Sequence, residues 1–160
     1  MTAIAEAAER FLSHSRIAVT GVSRNPAGHG SNSVFQRLGE RGYDAVPINP
    51  HADEIGGVTA YPDLKSVPGV VEAVVIGTAP DRALATVKEA VELGIGEVWM
   101  HRAFDDGSVD DEAVAYGREH GVTVIDGGCP LMFGPTADGF HKRFMCPFLK
   151  MSGKVPREVS

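Results

Sequence analysis

Short apolar runs alternate with helix-length amphipathic segments along most of this chain, and that alternation constrains the fold more than any other feature. Residues 17–20, 44–48, 72–76, 97–100 and 122–125 read as strands. Residues 33–41, 81–93 and a stretch from a Ser108 cap to Gly121 read as the helices between them. In the second of these, Ala83, Leu84, Val87, Ala90 and Val91 recur at steps of three and four and make one apolar stripe. Gly42 and Gly94 stop two of the helices, and Asp111 follows Ser108 by three residues in an acidic variant of the capping box. A further amphipathic helix is predicted over Ile4–Leu12. Strands separated by helices of this length predict βαβ units. The expected class is α/β, a Rossmann-like doubly wound parallel sheet with helices on both faces. Residues 1–160 are read as a single domain, with its core at about 10–126 and an extension over 127–160.

Charge narrows the partners. The chain has 21 acidic residues against 15 Lys and Arg, a formal net charge of −6. Nucleic-acid binding relies on cations that neutralise phosphates, and the bases cluster only in a modest tail (Lys142, Arg143, Lys150, Lys154, Arg157), so no nucleic-acid partner is expected. No apolar run approaches the roughly 18 to 20 residues of a membrane span. The first residues mix acid, base and alanine without a central apolar run, so no signal peptide and no membrane are expected, and the default location is cytoplasmic. Two cysteines, Cys129 and Cys146, are too few for a disulfide framework.

The chemical signal starts where the first strand of the sheet ends. Gly21, Val22, Ser23, Arg24, Asn25, Pro26, Ala27, Gly28, His29, Gly30, Ser31 and Asn32 form a glycine-rich connection into the next helix. Glycines there let the backbone approach a pyrophosphate, which the helix's free N–H groups then hold. Ser23 and Asn25 offer hydrogen bonds and Arg24 a charge. The spacing matches neither Gly-x-Gly-x-x-Gly nor the Gly-Lys-Ser/Thr phosphate loop. By itself the segment is either a phosphate or nucleotide cradle or a plain tight turn.

Two more loops belong at the same sheet edge. Pro47-Ile48-Asn49-Pro50 ends the second strand in extended backbone. Gly77-Thr78-Ala79-Pro80 ends the third, with Pro80 at a helix start, where its missing N–H costs nothing. Each loop alone is ordinary structure; at successive strand ends they frame a crevice. The second strand lacks the acidic residue that usually holds the ribose of NAD, offering Asn49-Pro50-His51-Ala52 instead, which counts against a simple NAD site.

The runs Ile17-Ala-Val-Thr-Gly-Val-Ser-Arg-Asn-Pro26, Gly42-Tyr-Asp-Ala-Val-Pro-Ile-Asn-Pro50, Tyr61-Pro-Asp-Leu-Lys-Ser-Val-Pro68 and Val74-Val-Ile-Gly-Thr-Ala-Pro80 resemble the stand-alone CoA-binding domain proteins. These are similar to the N-terminal CoA-binding domain of the succinyl-CoA synthetase α subunit. The resemblance covers roughly residues 10–126. It implies coenzyme A, or an acyl-CoA, as the ligand. Gly21 and Val22 would open the turn, with Ser23, Arg24, Asn25 and Pro26 along the phosphates. Asn49, Pro50, His51 and Ala52 would line the adenosine end. Gly77, Thr78, Ala79 and Pro80 would flank the nucleotide and the start of the pantetheine arm. The ligase also uses a second domain bearing a phosphorylated histidine, which the resembling stretch does not include, so ligation by this stretch alone is not implied. His51 and Ala52 stand where the synthetase carries a lysine facing CoA, and Gly28-His29-Gly30 is richer in glycine than the family pattern.

Beyond the sheet, Cys129, Asp138, His141 and Cys146 are metal-binding residue types without metal-binding spacing, so no metal site is expected. Cys129 at the ligand edge is a candidate reactive thiol, which could pair with that of CoA. Phe140, Phe144, Phe148 and Leu149 read as a packing arm, broken near Pro147, and such an aromatic stripe also admits a homodimer. His101 follows the fourth strand and is a candidate ligand contact or general base, without a recognisable acid or nucleophile in its motif. His14, His29, His51, His120 and His141 read as solvated. The favoured reading is a non-catalytic carrier, sensor or regulatory module. The alternatives are an NAD(P)- or CoA-dependent enzyme using His101 or Cys129, and a subunit of a larger acyl-CoA ligase.

Overall fold

The computed structural model describes residues 2–25, 30–102, 107–136, 156 and 158–159. Its elements run β1 (Thr2–Ala3), α1 (Ile4–Leu12), β2 (Arg16–Thr20), α2 (Gly30–Glu40), β3 (Asp44–Ile48), β4 (Glu54–Ile55), β5 (Val58–Thr59), β6 (Ala73–Ile76), α3 (Pro80–Glu92), β7 (Glu97–Met100), α4 (Asp111–Glu119), β8 (Thr123–Asp126) and β9 (Glu158–Val159). Short 3-10 turns occupy Pro130–Met132 and Gly134–Thr136. Five strands make one parallel sheet in the spatial order β3-β2-β6-β7-β8. The chain leaves β2 toward β3 on one side and returns to β6 on the other, so the winding reverses between β2 and β6. Open sheets of this kind bind ligands at that reversal.

Period-two alternation divides the interior into two cores. Ile17, Val19, Val75, Trp99 and Ile125 point to one face, where they meet Ala8 and Phe11 of α1 and Val34 and Leu38 of α2. Ala18, Val46, Val74, Ile76, Val98, Met100 and Val124 point to the other, against Ala83, Val87 and Ala90 of α3 and Ala113 of α4. Near-continuous Val, Ile and Ala follows from burial on both sides. Trp99 is fully buried, edge-on to Phe11 at 5.4 Å, and donates its indole N–H to the Gly127 carbonyl at 2.9 Å. Pro47 is tolerated because β3 is the edge strand; beyond it Tyr61 donates to the Pro47 carbonyl and accepts from the Asn49 N–H.

Three local expectations change. The cap of α4 is Asp110, extended in backbone, whose carboxylate accepts the Ala113 N–H at 2.8 Å. Ser108 is instead buried and gives its N–H to the His101 carbonyl, which ties it to the end of β7. Helix α2 starts at Gly30 rather than Ser33, so Ser31 and Asn32 are buried first-turn residues. His14 is no solvated bystander. It lies between Glu97 (2.5 Å) and Glu72 (3.5 Å) at the amino edge of the sheet, where Glu97 also pairs with Arg10. The backbone N–H of Arg16, then that of Ser15 and the nearby His14, hold the Glu72 carboxyl below its ordinary pKa. Among the described residues no helix is long and apolar enough to cross a membrane.

Candidate ligand-binding site

Strands β2, β3 and β6 end at Thr20, Ile48 and Ile76, so the loops opening at Gly21, Asn49 and Gly77 share one edge at the reversal point. Their backbones nearly touch. Gly21 has φ +77°, and a Cβ on it would lie 2.5 Å from the Gly77 carbonyl oxygen. A Cβ on Gly77 would lie 2.8 Å from the Thr20 carbonyl oxygen. Only glycine fits two main chains this close.

Side-chain amides and hydroxyls fix the loops where regular pairing stops. Asn32, from the first turn of α2, grips Ser23 twice: its Oδ1 accepts the Ser23 N–H at 3.0 Å, and its Nδ2 donates to the Ser23 carbonyl at 2.7 Å. Asn49 donates from Nδ2 to the Val22 carbonyl at 2.8 Å and accepts the His51 N–H at 2.7 Å. Thr20 accepts the Gly77 N–H, and Ser31 donates to the Gly77 carbonyl. Ser23 Oγ accepts the Asn25 N–H at 3.1 Å. The three loops thus form one hydrogen-bonded unit at the start of α2.

A cavity of about 500 Å³ opens between them, within the size range of small-molecule sites. From the loops it takes Gly21, Val22, Ser23, Asn49, Pro50, His51 and Thr78. One stripe of α3 (Asp81, Arg82, Ala85, Thr86, Glu89) and the segment Pro62, Asp63, Leu64 complete it. Sequence reasoning followed the apolar stripe of α3 and passed over this opposite one. Its signal is the i, i+4, i+8 series Asp81, Ala85, Glu89, with a small residue in the middle. Glu89 accepts the Leu64 N–H at 2.7 Å, which joins the two outer walls. Burial raises its carboxyl above the ordinary pKa, and the neighbouring Asp63 adds to the shift, against the Leu64 N–H and Lys65. The Thr78 hydroxyl is buried with no hydrogen-bond partner among the described residues.

The remaining candidates lie apart from this cavity. Arg24 lines a neighbouring cavity of about 450 Å³ with Asn32, Phe35, Gln36, Ile55 and Val58, and Ser23 borders both. Asn25 is exposed; Ala52 is buried in the α1-side core. Gly77 forms the close contact, Ala79 caps α3 without a side-chain bond, and Pro80 begins that helix. His101 sits by the start of α2, where a Cβ on Gly30 would lie 2.9 Å from its ring. Cys129 is 3% exposed within the α1-side core, which removes the access that thiol chemistry needs. Pro26, Gly28, His29, Asp138, His141, Cys146 and the aromatic arm lie outside the described residues.

A family model described as a CoA binding domain matches residues 15–135. The chain is 31% identical over 121 residues to the uncharacterized protein YneT of Bacillus subtilis, covering 76% of this chain and 86% of that protein. It is 30% identical over 126 residues to the α subunit of an ADP-forming acetate–CoA ligase II from Pyrococcus furiosus, covering 74% of this chain but 27% of that subunit. Among solved structures, a hypothetical protein from Pyrococcus horikoshii superposes with a TM-score of 0.72 at 26% identity, covering 80% of this chain and 87% of that one.

Proposed function

The chain belongs to the CoA-binding domain family, and from that premise we propose that it binds coenzyme A or an acyl-CoA in the crevice between β2 and β6, as a carrier, sensor or regulatory module rather than a catalyst. The observation that carries the reading is the convergence of three strand-end loops on one cavity at the reversal point. In this reading the pyrophosphate rests against the Gly21–Ser23 backbone and the first turn of α2, where free N–H groups and the helix dipole favour anions. Asp63, Asp81 and Glu89 line the other part of the cavity with Arg82. Phosphates are repelled from that end, which leaves it to the uncharged base. Both polar atoms of the Asn49 side chain serve the loops, so it shapes the adenosine end chiefly by position.

Calorimetric titration of the reduced protein with CoA, and with NAD and ATP as controls, tests the proposal. CoA is expected to bind at micromolar strength or better and NAD much more weakly. Replacing Ser23 and Arg24 together by Ala removes the hydroxyl that borders both cavities and the cation of the neighbouring one; if each meets the phosphates at about 1 to 3 kcal/mol, CoA affinity falls at least about tenfold. An unchanged affinity in that double variant rules out these two side chains as phosphate contacts.

A second reading, a subunit of a larger acyl-CoA ligase, is favoured by the likeness to the Pyrococcus furiosus α subunit. It predicts a partner chain that co-purifies and brings acyl-CoA-forming activity which this chain alone lacks.

A further inference from the structure

The lining of the crevice carries two features that holding phosphate does not explain: the carboxyl of Glu89 and the hydroxyl of Thr78. Both line a cavity whose apolar walls are Ile48, Pro50, Leu64 and Ala85, beside the charged Asp63, Asp81 and Arg82. Such walls suit a flat heteroaromatic ring, and a polar group beside them then meets its edge. The Leu64 N–H already occupies Glu89 Oε1, and that bond locks the side chain across the gap between α3 and the facing segment. An ionised carboxylate is acceptor-only, and with the Leu64 N–H on it and the Lys65 N–H beside it, the lone pairs that remain ask for a donor from the ligand. The buried Thr78 hydroxyl asks for any polar partner.

We propose that Glu89 is the specificity-determining residue of this crevice: it accepts a hydrogen bond from the exocyclic amine of a 6-aminopurine and rejects 6-oxopurines. The inference rests on the crevice being the CoA site. A 6-oxo edge would set a carbonyl oxygen against the carboxylate, two acceptors with no proton between them, in a place where water is largely displaced. Such a mismatch at a half-buried hydrogen-bonding group discriminates more strongly than a difference in apolar contact.

The test compares CoA with its deaminated 6-oxo analogue by calorimetry on the wild-type chain and on Glu89→Gln. Glutamine keeps the size, accepts the Leu64 N–H through its own oxygen and presents an amide N–H₂ where the carboxylate oxygen stood. The wild type is expected to prefer CoA by about tenfold or more, the gap that one well-placed polar contact in a desolvated site produces. In E89Q the preference is expected to vanish or reverse, with the circular-dichroism spectrum unchanged. Equal wild-type affinities for the two analogues, or an E89Q ratio equal to that of the wild type, would overturn the role of Glu89 while leaving the CoA site standing. Failure of the wild type to bind either analogue would overturn the site itself, and this inference with it.

Discussion

Replacing Asn32 with alanine isolates the contribution of the loop clamps. The side chain makes two hydrogen bonds to one residue, at 3.0 and 2.7 Å, from a position that is 9% exposed. Each is worth about 0.5 to 1.5 kcal/mol net, and Ser23 is only partly buried, so water re-satisfies some of what is lost; the expected cost is about 2 kcal/mol. For a chain of 160 residues, a loss of that size lowers the melting temperature by about 4 to 8 °C. Binding suffers separately. A loop residue that was already fixed must now be fixed by the ligand, at about 1 to 2 kcal/mol. CoA affinity therefore falls about 5- to 30-fold beyond any change in contacts. Asn32→Asp separates the two bonds: it keeps an acceptor for the Ser23 N–H but turns a carboxylate toward the Ser23 carbonyl, so it destabilises at least as much and repels a polyanion as well. Thermal scans by circular dichroism and CoA titrations read both quantities. A melting temperature and an affinity that both match the wild type in N32A would refute the idea that these amide contacts hold the loop.

Three further outcomes are expected. Gly21→Ala forces a side chain into a positive-φ position 2.5 Å from the Gly77 carbonyl, and should abolish CoA binding while lowering the melting temperature. Phe11→Ala empties a buried site against Trp99 and should cost about 3 to 5 kcal/mol in urea unfolding, with a change in Trp99 emission. Because the Glu89 pKa is raised in the folded state, its ionisation opposes folding: stability falls as pH rises from the unfolded-state pKa toward the higher folded-state one. E89Q should therefore be more stable than the wild type at neutral pH, with the gap closing near pH 4, as pH-dependent melting would record.

The strands and the stripe of α3 were legible because burial on both faces leaves little choice of residue along a strand. Asp44–Ile48 and Glu97–Met100 coincide with their expected bounds, as does helix Ile4–Leu12. What escaped were choices made by tertiary contact. Ser108 has the chemistry of a cap, but it is buried against the β7 end two residues before the cap position, so the task falls to Asp110. The β4–β5 hairpin has two-residue strands around Gly56-Gly57, too short for alternation to show. At the site, the order of the loops was readable from Gly21, Asn49 and Gly77. The contribution of Glu89 was not, because it rests on a backbone N–H 25 residues away in sequence. Ala52 was expected along the adenosine and is drawn into the core, since small apolar residues pack wherever the backbone passes near the interior.

The partition of the interior by the sheet has an evolutionary corollary. The cavity beside α3 leans mainly on one core, through Ile48 and Leu64, and the neighbouring cavity beside α2 on the other, through Phe35 and Ile55, with Ser23 bordering both. Substitutions on opposite faces share few partners, so their effects should sum. The lining of either cavity can then be retuned by repacking its own half, without the other half having to compensate.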